Sequence, residues 1–296
     1  MKKLNRRGFL QHTAGAIALS AGVSAAGADA ATARPRATDM RTLGQTGLQC
    51  SYLGVGTGIR GRGQGITDLT LNLTGNQFIR LLEYAYKRGV TYFDMADRYG
   101  SHIYMREAMH RSIPRDKVML LSKLWSREPG QMRKDLDRIR RELDTDTVDV
   151  VLIHCVRGGE ENWPEKLRAN MDVLADAKAK GWINAHGISC HNLPALERVA
   201  EEPWADVVLA RINPFGSHMD GPPSRVAPVL KKIHAAGKGV LGMKILGEGD
   251  PKVVTKMDES LRYVADLGAV DAMTIGFMSP AEMNDVMEHI DRVRKA

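Results

Sequence analysis

The sequence predicts a (β/α)₈ TIM barrel with an N-terminal β-hairpin, and three observations lead to that fold class. Short apolar runs alternate with amphipathic stretches from about residue 50 onward. Eight such runs are present, and after the first they end at steps of about thirty residues. Strands that alternate with helices indicate parallel β–α–β units, and eight units in roughly 250 residues are typical of a closed barrel. An open doubly wound sheet is the alternative, but the count of eight strands argues against it.

The individual elements follow from their periodicity. The predicted strands are Ser51–Gly56, Thr91–Phe93, Val118–Ser122, Val148–Ile153, Asn184–Ile188, Val207–Ile212, Gly239–Met243 and Ala272–Ile275. The predicted helices have apolar residues at three- and four-residue steps: Gln77–Tyr86, Met132–Leu143, Leu167–Ala179, Leu193–Glu201, Ala227–Ala236, Lys256–Leu267 and Ala281–Val293. Glycine follows four of these helices, at Gly89, Gly181, Gly237 and Gly268, as expected of left-handed C-caps.

A hairpin is expected ahead of the first barrel strand. The segment RTLGQTGLQCSYLG contains two short extended pieces around Gln45, Thr46 and Gly47. Such a pair of strands around a glycine turn is typical of a β-hairpin, here at the floor of the barrel. We therefore assign residues 41–296 to the barrel and residues 31–40 to a linker.

The first thirty residues have a different character. The stretch NRRGFLQ, with Arg6 and Arg7, precedes an Ala- and Gly-rich apolar segment at residues 13–30 that ends in A-D-A. A positive start, an apolar middle and a small-residue end predict a signal peptide, with an N-terminal helix of the fold as the alternative. The arginine pair resembles a twin-arginine signal, so we expect the twin-arginine export machinery as partner and a periplasmic or secreted protein. The apolar segment is too short and weak for a stable membrane anchor.

Charge and cysteines exclude other classes of function. The 296 residues carry a formal charge of +7, and without residues 1–30 there remain 38 basic and 34 acidic residues. No basic run is interleaved with aromatics, so nucleic acid is not an expected partner. Cys50, Cys155 and Cys190 have no zinc or redox spacing, which excludes a disulfide framework and a metal site.

Three successive strands end in titratable residues. Asp94 ends the second strand and Tyr99 follows it in the loop, while Lys123 and His154 end the third and fourth strands. Strand ends of a parallel barrel meet at its C-terminal rim, where barrel enzymes have their active sites. We therefore predict that these four side chains converge as a candidate catalytic site.

The residue types indicate a proton-transfer site. Tyrosine has an ordinary pKa of about 10, and a neighbouring Lys123 ammonium is expected to lower it. Asp94 can hold Lys123 charged, and His154 can donate a hydrogen bond to a substrate oxygen. Such a set suits protonation of a carbonyl oxygen while a hydride reaches the carbon. The structural alternative is an ion pair of Asp94 with Lys123 beside a packed Tyr99 and a capped His154.

The string YFDMADRYGS resembles the F-D-T-A-x-x-Y-G signature of the aldo-keto reductases, with Asp94 and Tyr99 at the same five-residue spacing. Lys123 in LLSKLW and His154 in VDVVLIHC match the other two catalytic positions of that family. The resemblance runs from about Arg41 to the last helix. It implies an NAD(P)-dependent oxidoreductase that reduces an aldehyde or ketone, or oxidises the alcohol, with NADP(H) or NAD(H) as cofactor.

The same resemblance implies a cofactor site. It places Gly56 and Thr57 beneath the cofactor. It places Ser189 of GISCHN at the nicotinamide carboxamide. The remaining positions that it assigns to the cofactor are Asp94, Lys244, Leu246 and Gly247, and, in the segment IGFMSPAEMND that aligns with the 2′-phosphate site, Gly276 and Ser279.

Several positions depart from the family pattern. Cys190 stands where an asparagine is frequent, Leu209 where a glutamine contacts the carboxamide, and Met243 where an aromatic stacks on nicotinamide. Glu282 and Gly276 replace an arginine and a lysine near the 2′-phosphate, and a carboxylate there would repel a phosphate. These departures leave NADPH and NADH both open. They also favour an alternative function, a non-enzymatic cofactor-binding redox sensor or partner subunit on the same barrel.

Two further features concern the substrate. The glycine-rich, basic stretch GIRGRGQG at residues 58–65 predicts a mobile loop over the site, with a phosphate-binding loop as the alternative. Arg60 and Arg62 in it could select an anionic substrate. Trp125, two residues after Lys123, is either a wall of the substrate site or a packing residue.

Overall fold

Eight parallel strands close into a barrel in the computed structural model, which describes residues 33–58 and 73–295. The predicted signal peptide, at residues 1–30, and Arg60 and Arg62 lie outside the described residues. Two hairpin strands precede the barrel: β1 (Met40–Thr42) and β2 (Gln49–Ser51). The barrel strands are β3 (Leu53–Gly56), β4 (Tyr92–Asp94), β5 (Met119–Leu124), β6 (Val148–Val156), β7 (Ile183–Cys190), β8 (Val207–Arg211), β9 (Gly239–Met243) and β10 (Ala272–Ile275). They pair in sequence order, and β10 closes on β3.

Helices cover the outside of the barrel, and the left-handed conformation predicted for the glycines after four of them is confirmed. The α-helices are α1 (Gly75–Lys87), α2 (His102–Arg111), α3 (Pro129–Leu143), α4 (Trp163–Lys166), α5 (Arg168–Ala179), α6 (Leu193–Glu197), α7 (Pro223–Ala235), α8 (Pro251–Val254), α9 (Met257–Leu267) and α10 (Pro280–Lys295). Short 3₁₀ turns lie at Arg115–Lys117 and Gly247–Gly249. The four predicted C-cap glycines have φ between 67° and 90°, the left-handed region. No helix within residues 33–58 and 73–295 is long and apolar enough to cross a membrane.

The hairpin lies at the N-terminal end of the barrel, as predicted. Thr42 pairs with Gln49, and Gly47 turns the chain with φ of 76°. The backbone amide of Gln45 donates a hydrogen bond to the Gly237 carbonyl at 2.8 Å, just before β9 begins. The stretch predicted as a linker packs on the barrel from Arg34 onward, where Arg34 forms an ion pair with Asp266.

The two-residue period of the strands carries the sequence-predicted residues to the barrel interior. Successive side chains of a strand point to opposite faces, so a residue two positions beyond an interior side chain is also interior. Asp94, Lys123 and His154 each follow an interior core residue by two positions. Those core residues are Tyr92, Leu121 and Leu152. The parallel register then stacks the three polar side chains above the apolar layer, at the C-terminal rim.

Several elements differ from the sequence prediction. Helices α4 and α8 were not predicted, and α6 ends at Glu197 rather than at Glu201. The run Ser51–Gly56 is divided between β2 and β3 at the buried Tyr52. Helix α2 was not predicted from the sequence. Its residue Ile103 is 44% exposed, and its first residue His102 is buried through polar contacts, so the apolar periodicity is weak.

Candidate active site

A buried ion pair forms the base of the site. Lys123 of β5 contacts the Asp94 carboxylate through its ammonium, and the same Nζ donates to the Met95 carbonyl at 2.8 Å. The side chains are only 2% and 7% exposed. Burial lowers the pKa of Lys123, and the Asp94 charge opposes that effect. The pair therefore keeps a cation in a site that would otherwise favour the neutral amine.

Tyr99 lies directly over this pair. The Lys123 Nζ is 4.9 Å from the centroid of the Tyr99 ring, and the ring of His154 meets it edge-on at 5.6 Å. A Cβ on Gly58 would approach the Tyr99 Cζ to 2.3 Å, so only glycine lets the chain pass beside the ring. The four residues predicted from the strand ends are thus brought together.

The predicted direction of the Tyr99 pKa is wrong. Burial raises the pKa of Tyr99 well above its ordinary range, and the negative charge of Asp94 raises it further. The sequence predicted a lower value from the neighbouring Lys123. The difference arises because burial removes water from the Tyr99 hydroxyl and the Asp94 charge opposes formation of the phenolate. Tyr99 is therefore fully protonated at neutral pH, as a proton donor must be.

His154 is held beside Tyr99 as a neutral imidazole. Burial lowers its pKa, although Asp97 acts in the opposite direction from 3.8 Å, measured between Nδ1 and Oδ1. Asp97 is fixed in turn, because its Oδ2 accepts the Trp125 amide hydrogen at 2.7 Å. The Trp125 ring meets His154 edge-on at 5.5 Å. Sequence analysis did not predict Asp97 as a site residue. Its position three residues after Asp94, in the same motif YFDMADRYGS, could have indicated it.

A cavity of about 530 Å³ opens beside Tyr99 and Asp94. The ends of β9 and β10 and the start of α10 provide most of its wall. Five residues that the sequence assigned to the cofactor line it: Gly56, Asp94, Lys244, Leu246 and Gly276. The departures Met243 and Glu282 line it as well. The other four assigned residues, Thr57, Ser189, Gly247 and Ser279, are not among its lining residues.

Thr57 and Ser189 bond the backbone around the site. The Thr57 hydroxyl donates to the Asp94 carbonyl at 2.9 Å, which links the ends of β3 and β4. The Ser189 hydroxyl accepts the Cys155 amide hydrogen at 2.7 Å. Cys155 has φ of 58°, in the left-handed region, so this bond supports a strained irregularity of β6 directly after His154.

The lysine at the end of β9 presents its charge to the cavity. Lys244 has φ of 60°, and its Nζ lies 3.0 Å from the Glu248 carboxylate. Gly247 lies between them with φ of 57°, and a Cβ there would approach Val253 to 2.6 Å. The turn thus requires glycine, and it places a paired cation on the cavity wall.

The N-terminus of α10 is closed by its own carboxylate. The Glu282 Oε2 accepts the Met278 amide hydrogen at 2.7 Å, and the Ser279 hydroxyl accepts the Glu282 amide hydrogen at 3.2 Å. Ser279 thus caps the helix through the Glu282 amide, while Glu282 bonds the amide one residue before Ser279. A helix N-terminus attracts anions, and here that attraction is already used by Glu282.

The cavity fits a nicotinamide nucleotide in size and lining. Its volume lies within the range of about 300–1,000 Å³ that is usual for ligand sites. The hydroxyl of Thr274 is buried in its wall without a hydrogen-bond partner among the described residues, facing Gly56. A buried hydroxyl of this kind is satisfied when a polar ligand group binds. Across the described ranges, no three side chains cluster as metal ligands.

Comparisons with known proteins agree with this geometry. Curated relatives include the NADPH-dependent D-xylose reductase of Meyerozyma guilliermondii, 35% identical over 77 residues, which are 24% of each protein. Another is aldo-keto reductase family 1 member C1 of Macaca fuscata fuscata, 28% identical over 149 residues, 43% of this chain and 46% of the relative. The chain therefore spans less than half the length of the curated relatives that it matches.

Solved structures share the fold. A Pseudomonas aeruginosa protein named as a candidate aldo-keto reductase superposes with a TM-score of 0.72 at 23% identity, over 90% of this chain and 99% of that one. The holo form of an aldo-keto reductase from Bacillus halodurans gives 0.67 at 15% identity, over 86% and 96%. The model of the aldo/keto reductase family matches residues 53–263. The chain belongs to the aldo/keto reductase family.

Proposed function

We propose that this chain reduces an aldehyde or ketone to an alcohol, or catalyses the reverse reaction, with a nicotinamide cofactor. The observation that carries the proposal is the convergence of Asp94, Tyr99, Lys123 and His154 beside a cavity of cofactor size. A protonated phenol, a buried cation and a neutral imidazole in contact are what carbonyl protonation requires.

Each residue has a distinct role in this proposal. A reduced nicotinamide bound in the cavity would supply the hydride to the carbonyl carbon. Tyr99 transfers its hydroxyl proton to the carbonyl oxygen, and the neutral His154 donates a hydrogen bond to that oxygen. Lys123 stabilises the phenolate that forms on Tyr99, because its ammonium lies 4.9 Å from the ring. Asp94 positions Lys123.

The stabilisation by Lys123 is selective for the transition state. The neutral phenol gains little from a nearby cation, whereas the phenolate that forms as the proton leaves gains strongly in a buried site. The raised pKa of Tyr99 in the resting site therefore does not oppose the reaction. It keeps the proton in place until the carbonyl oxygen becomes basic.

The cofactor site favours NAD(H) over NADP(H) in this proposal. Glu282 places a carboxylate on the cavity wall at the start of α10, where it accepts the Met278 amide hydrogen. Like charges repel, so a 2′-phosphate near this end would bind less well than a 2′-hydroxyl. Lys244, Leu246 and Gly276, which also line the cavity, hold the cofactor as well.

The proposed function is tested by Tyr99→Phe. Phenylalanine keeps the ring contacts with Lys123 and His154 and removes only the proton donor, so turnover falls by at least about a hundredfold. Affinity for the cofactor, measured by fluorescence titration, stays within twofold. Tyr104→Phe is the matched control, because its ring packs against Phe78. Full activity of Tyr99→Phe would refute this mechanism.

A redox sensor or partner subunit is the second candidate function. It is motivated by Leu209, which is fully buried in the apolar barrel interior where a hydrogen-bonding residue was expected, and by Met243 on the cavity wall. Stopped-flow mixing of the protein and reduced cofactor with a broad aldehyde panel separates the two candidates. A sensor would bind the cofactor, and no carbonyl would oxidise it.

Export is also part of the proposal. The Arg6–Arg7 pair and the apolar segment after it support delivery of the folded protein by the twin-arginine machinery to the periplasm or the medium. That route would carry the barrel with its nucleotide already bound.

A further inference from the structure

Two arginines contact Trp125 at the edge of the candidate active site. The Arg98 Cζ lies 4.4 Å from the Trp125 ring, and the Arg157 Cζ lies 5.4 Å from it. Trp125 in turn meets His154 at 5.5 Å. Neither guanidinium carbon is therefore more than about 11 Å from the imidazole that orients the carbonyl oxygen.

Within residues 33–58 and 73–295, these two guanidinium groups lack the close carboxylate partner that other arginines have. Two other arginines of the same rim are paired: Arg127 with Glu160 at 2.6 Å, and Arg211 with the buried Asp220 at 3.0 Å. Arg98 and Arg157, in contrast, form no ion pair with any described residue.

The aromatic contact holds the charges without cancelling them. A tryptophan ring attracts a cation but carries no net charge, so the positive potential of both groups remains. Arg98 is half-buried and Arg157 is exposed, which lets a ligand reach both. Two like charges on one ring also repel each other, and a bound anion relieves that repulsion. The arrangement thus favours an anion beside Trp125, at the edge of the candidate active site.

Resting on the proposed carbonyl reduction, we propose that the substrates are aldehydes or ketones that carry a carboxylate, which Arg98 and Arg157 bind. Arginine matches a carboxylate with two parallel hydrogen bonds. A spacer of a few carbon atoms connects that carboxylate to the carbonyl group held by Tyr99 and His154. Trp125 provides the apolar wall along which the spacer lies.

The experiment compares an acid with its neutral ester. The full-length protein, saturated with NADH, is assayed with 4-carboxybenzaldehyde and with the methyl ester of that aldehyde. We expect a higher kcat/KM for the acid. Arg157→Gln and Arg98→Gln each lower kcat/KM for the acid roughly tenfold, chiefly through KM, and leave the ester within twofold. Arg41→Gln is the control, since it removes the same charge from β1 at the opposite end of the barrel.

Equal kcat/KM for acid and ester in the unmodified protein would overturn the proposal. Equal losses for both substrates in the two arginine variants would overturn it as well, because they would show a purely structural role. Added salt provides a further check, since the advantage of the acid shrinks as ionic strength rises.

A binding measurement separates this proposal from the proposed function. Benzoate, benzamide and phenyl phosphate, none of which can be reduced, are titrated calorimetrically into the protein with cofactor. Tighter binding of benzoate than of benzamide, lost in Arg157→Gln, supports the carboxylate site even if no carbonyl is reduced. Reduction of carbonyls without that preference refutes the carboxylate site alone. Preferential binding of phenyl phosphate would contradict the assignment to carboxylates.

Discussion

The buried Asp94–Lys123 pair gives the most quantitative prediction. Asp94→Asn keeps the shape of the side chain and an oxygen that accepts a hydrogen bond, but it removes the charge opposite Lys123. The ammonium then remains in a site with 2% exposure, with the Met95 carbonyl and an amide oxygen as acceptors. We expect the variant to fold and to be markedly less stable.

The magnitude follows from the burial of the pair. Removing one partner of a buried ion pair costs about 3–5 kcal/mol, and the retained amide acceptor places Asp94→Asn near about 3 kcal/mol. For a protein of this size that corresponds to a melting temperature lower by roughly 6–12 °C. The double variant Asp94→Asn/Lys123→Met has no charge at either of these two positions. It recovers about 2 kcal/mol of the free energy of unfolding that the single variant loses.

Urea unfolding and thermal melts at neutral pH measure the stability of both variants. The direction in which stability changes with pH provides a second test. Asp94 opposes the burial that lowers the pKa of Lys123, so its loss lowers that pKa further. Between this depressed value and the ordinary lysine pKa of about 10.4, the unfolded chain binds more protons than the folded chain, and stability rises with pH. The difference in free energy of unfolding between Asp94→Asn and the parent protein therefore narrows from pH 7 to pH 10. A single variant as stable as the parent, or a double variant no better than the single, would refute this reasoning.

The remaining predictions concern the cofactor, the imidazole and the signal. Glu282→Gln lowers the Kd for NADPH about fivefold and leaves that for NADH nearly unchanged, since it removes roughly 1 kcal/mol of repulsion; fluorescence titration with both cofactors checks this. Because burial lowers the pKa of His154, kcat/KM for a neutral aldehyde does not fall as the pH rises from 6.5 to 8, and a decline across that interval would contradict the neutral imidazole. Replacing Arg6 and Arg7 with lysine retains the protein in the cytoplasm on cell fractionation, whereas unchanged export would contradict the twin-arginine assignment.

The barrel could be predicted because its signals are local. Strand spacing, helical periodicity and the glycines after four helices are each contained within about thirty residues of sequence. Helix α2 was missed because it presents little apolar surface to the barrel. Its N-terminal His102 instead bonds Glu142 and Ser122, each at 2.9 Å, and those partners are 40 and 20 residues away.

The four residues of the site were predictable from their places at strand ends, but their electrostatics were not. Whether Lys123 lowers the pKa of Tyr99 depends on how much water reaches the hydroxyl, which the assembled barrel decides. The pairing of Trp125 with Arg98 and Arg157 could not be predicted for the same reason, because it forms only in the assembled barrel. These residues lie on three different loops, and no periodicity connects them.

Transfer of label from deuterated cofactor tests the central claim most directly. The protein is mixed with an aldehyde and with NADH deuterated at the reactive carbon of the nicotinamide ring, and the alcohol product is analysed by mass spectrometry. We predict that the alcohol carries one deuterium at the former carbonyl carbon, and that Tyr99→Phe forms at least about a hundredfold less of it under the same conditions. Cofactor that remains bound and unoxidised, with no labelled alcohol from any aldehyde tested, would contradict the proposed reductase.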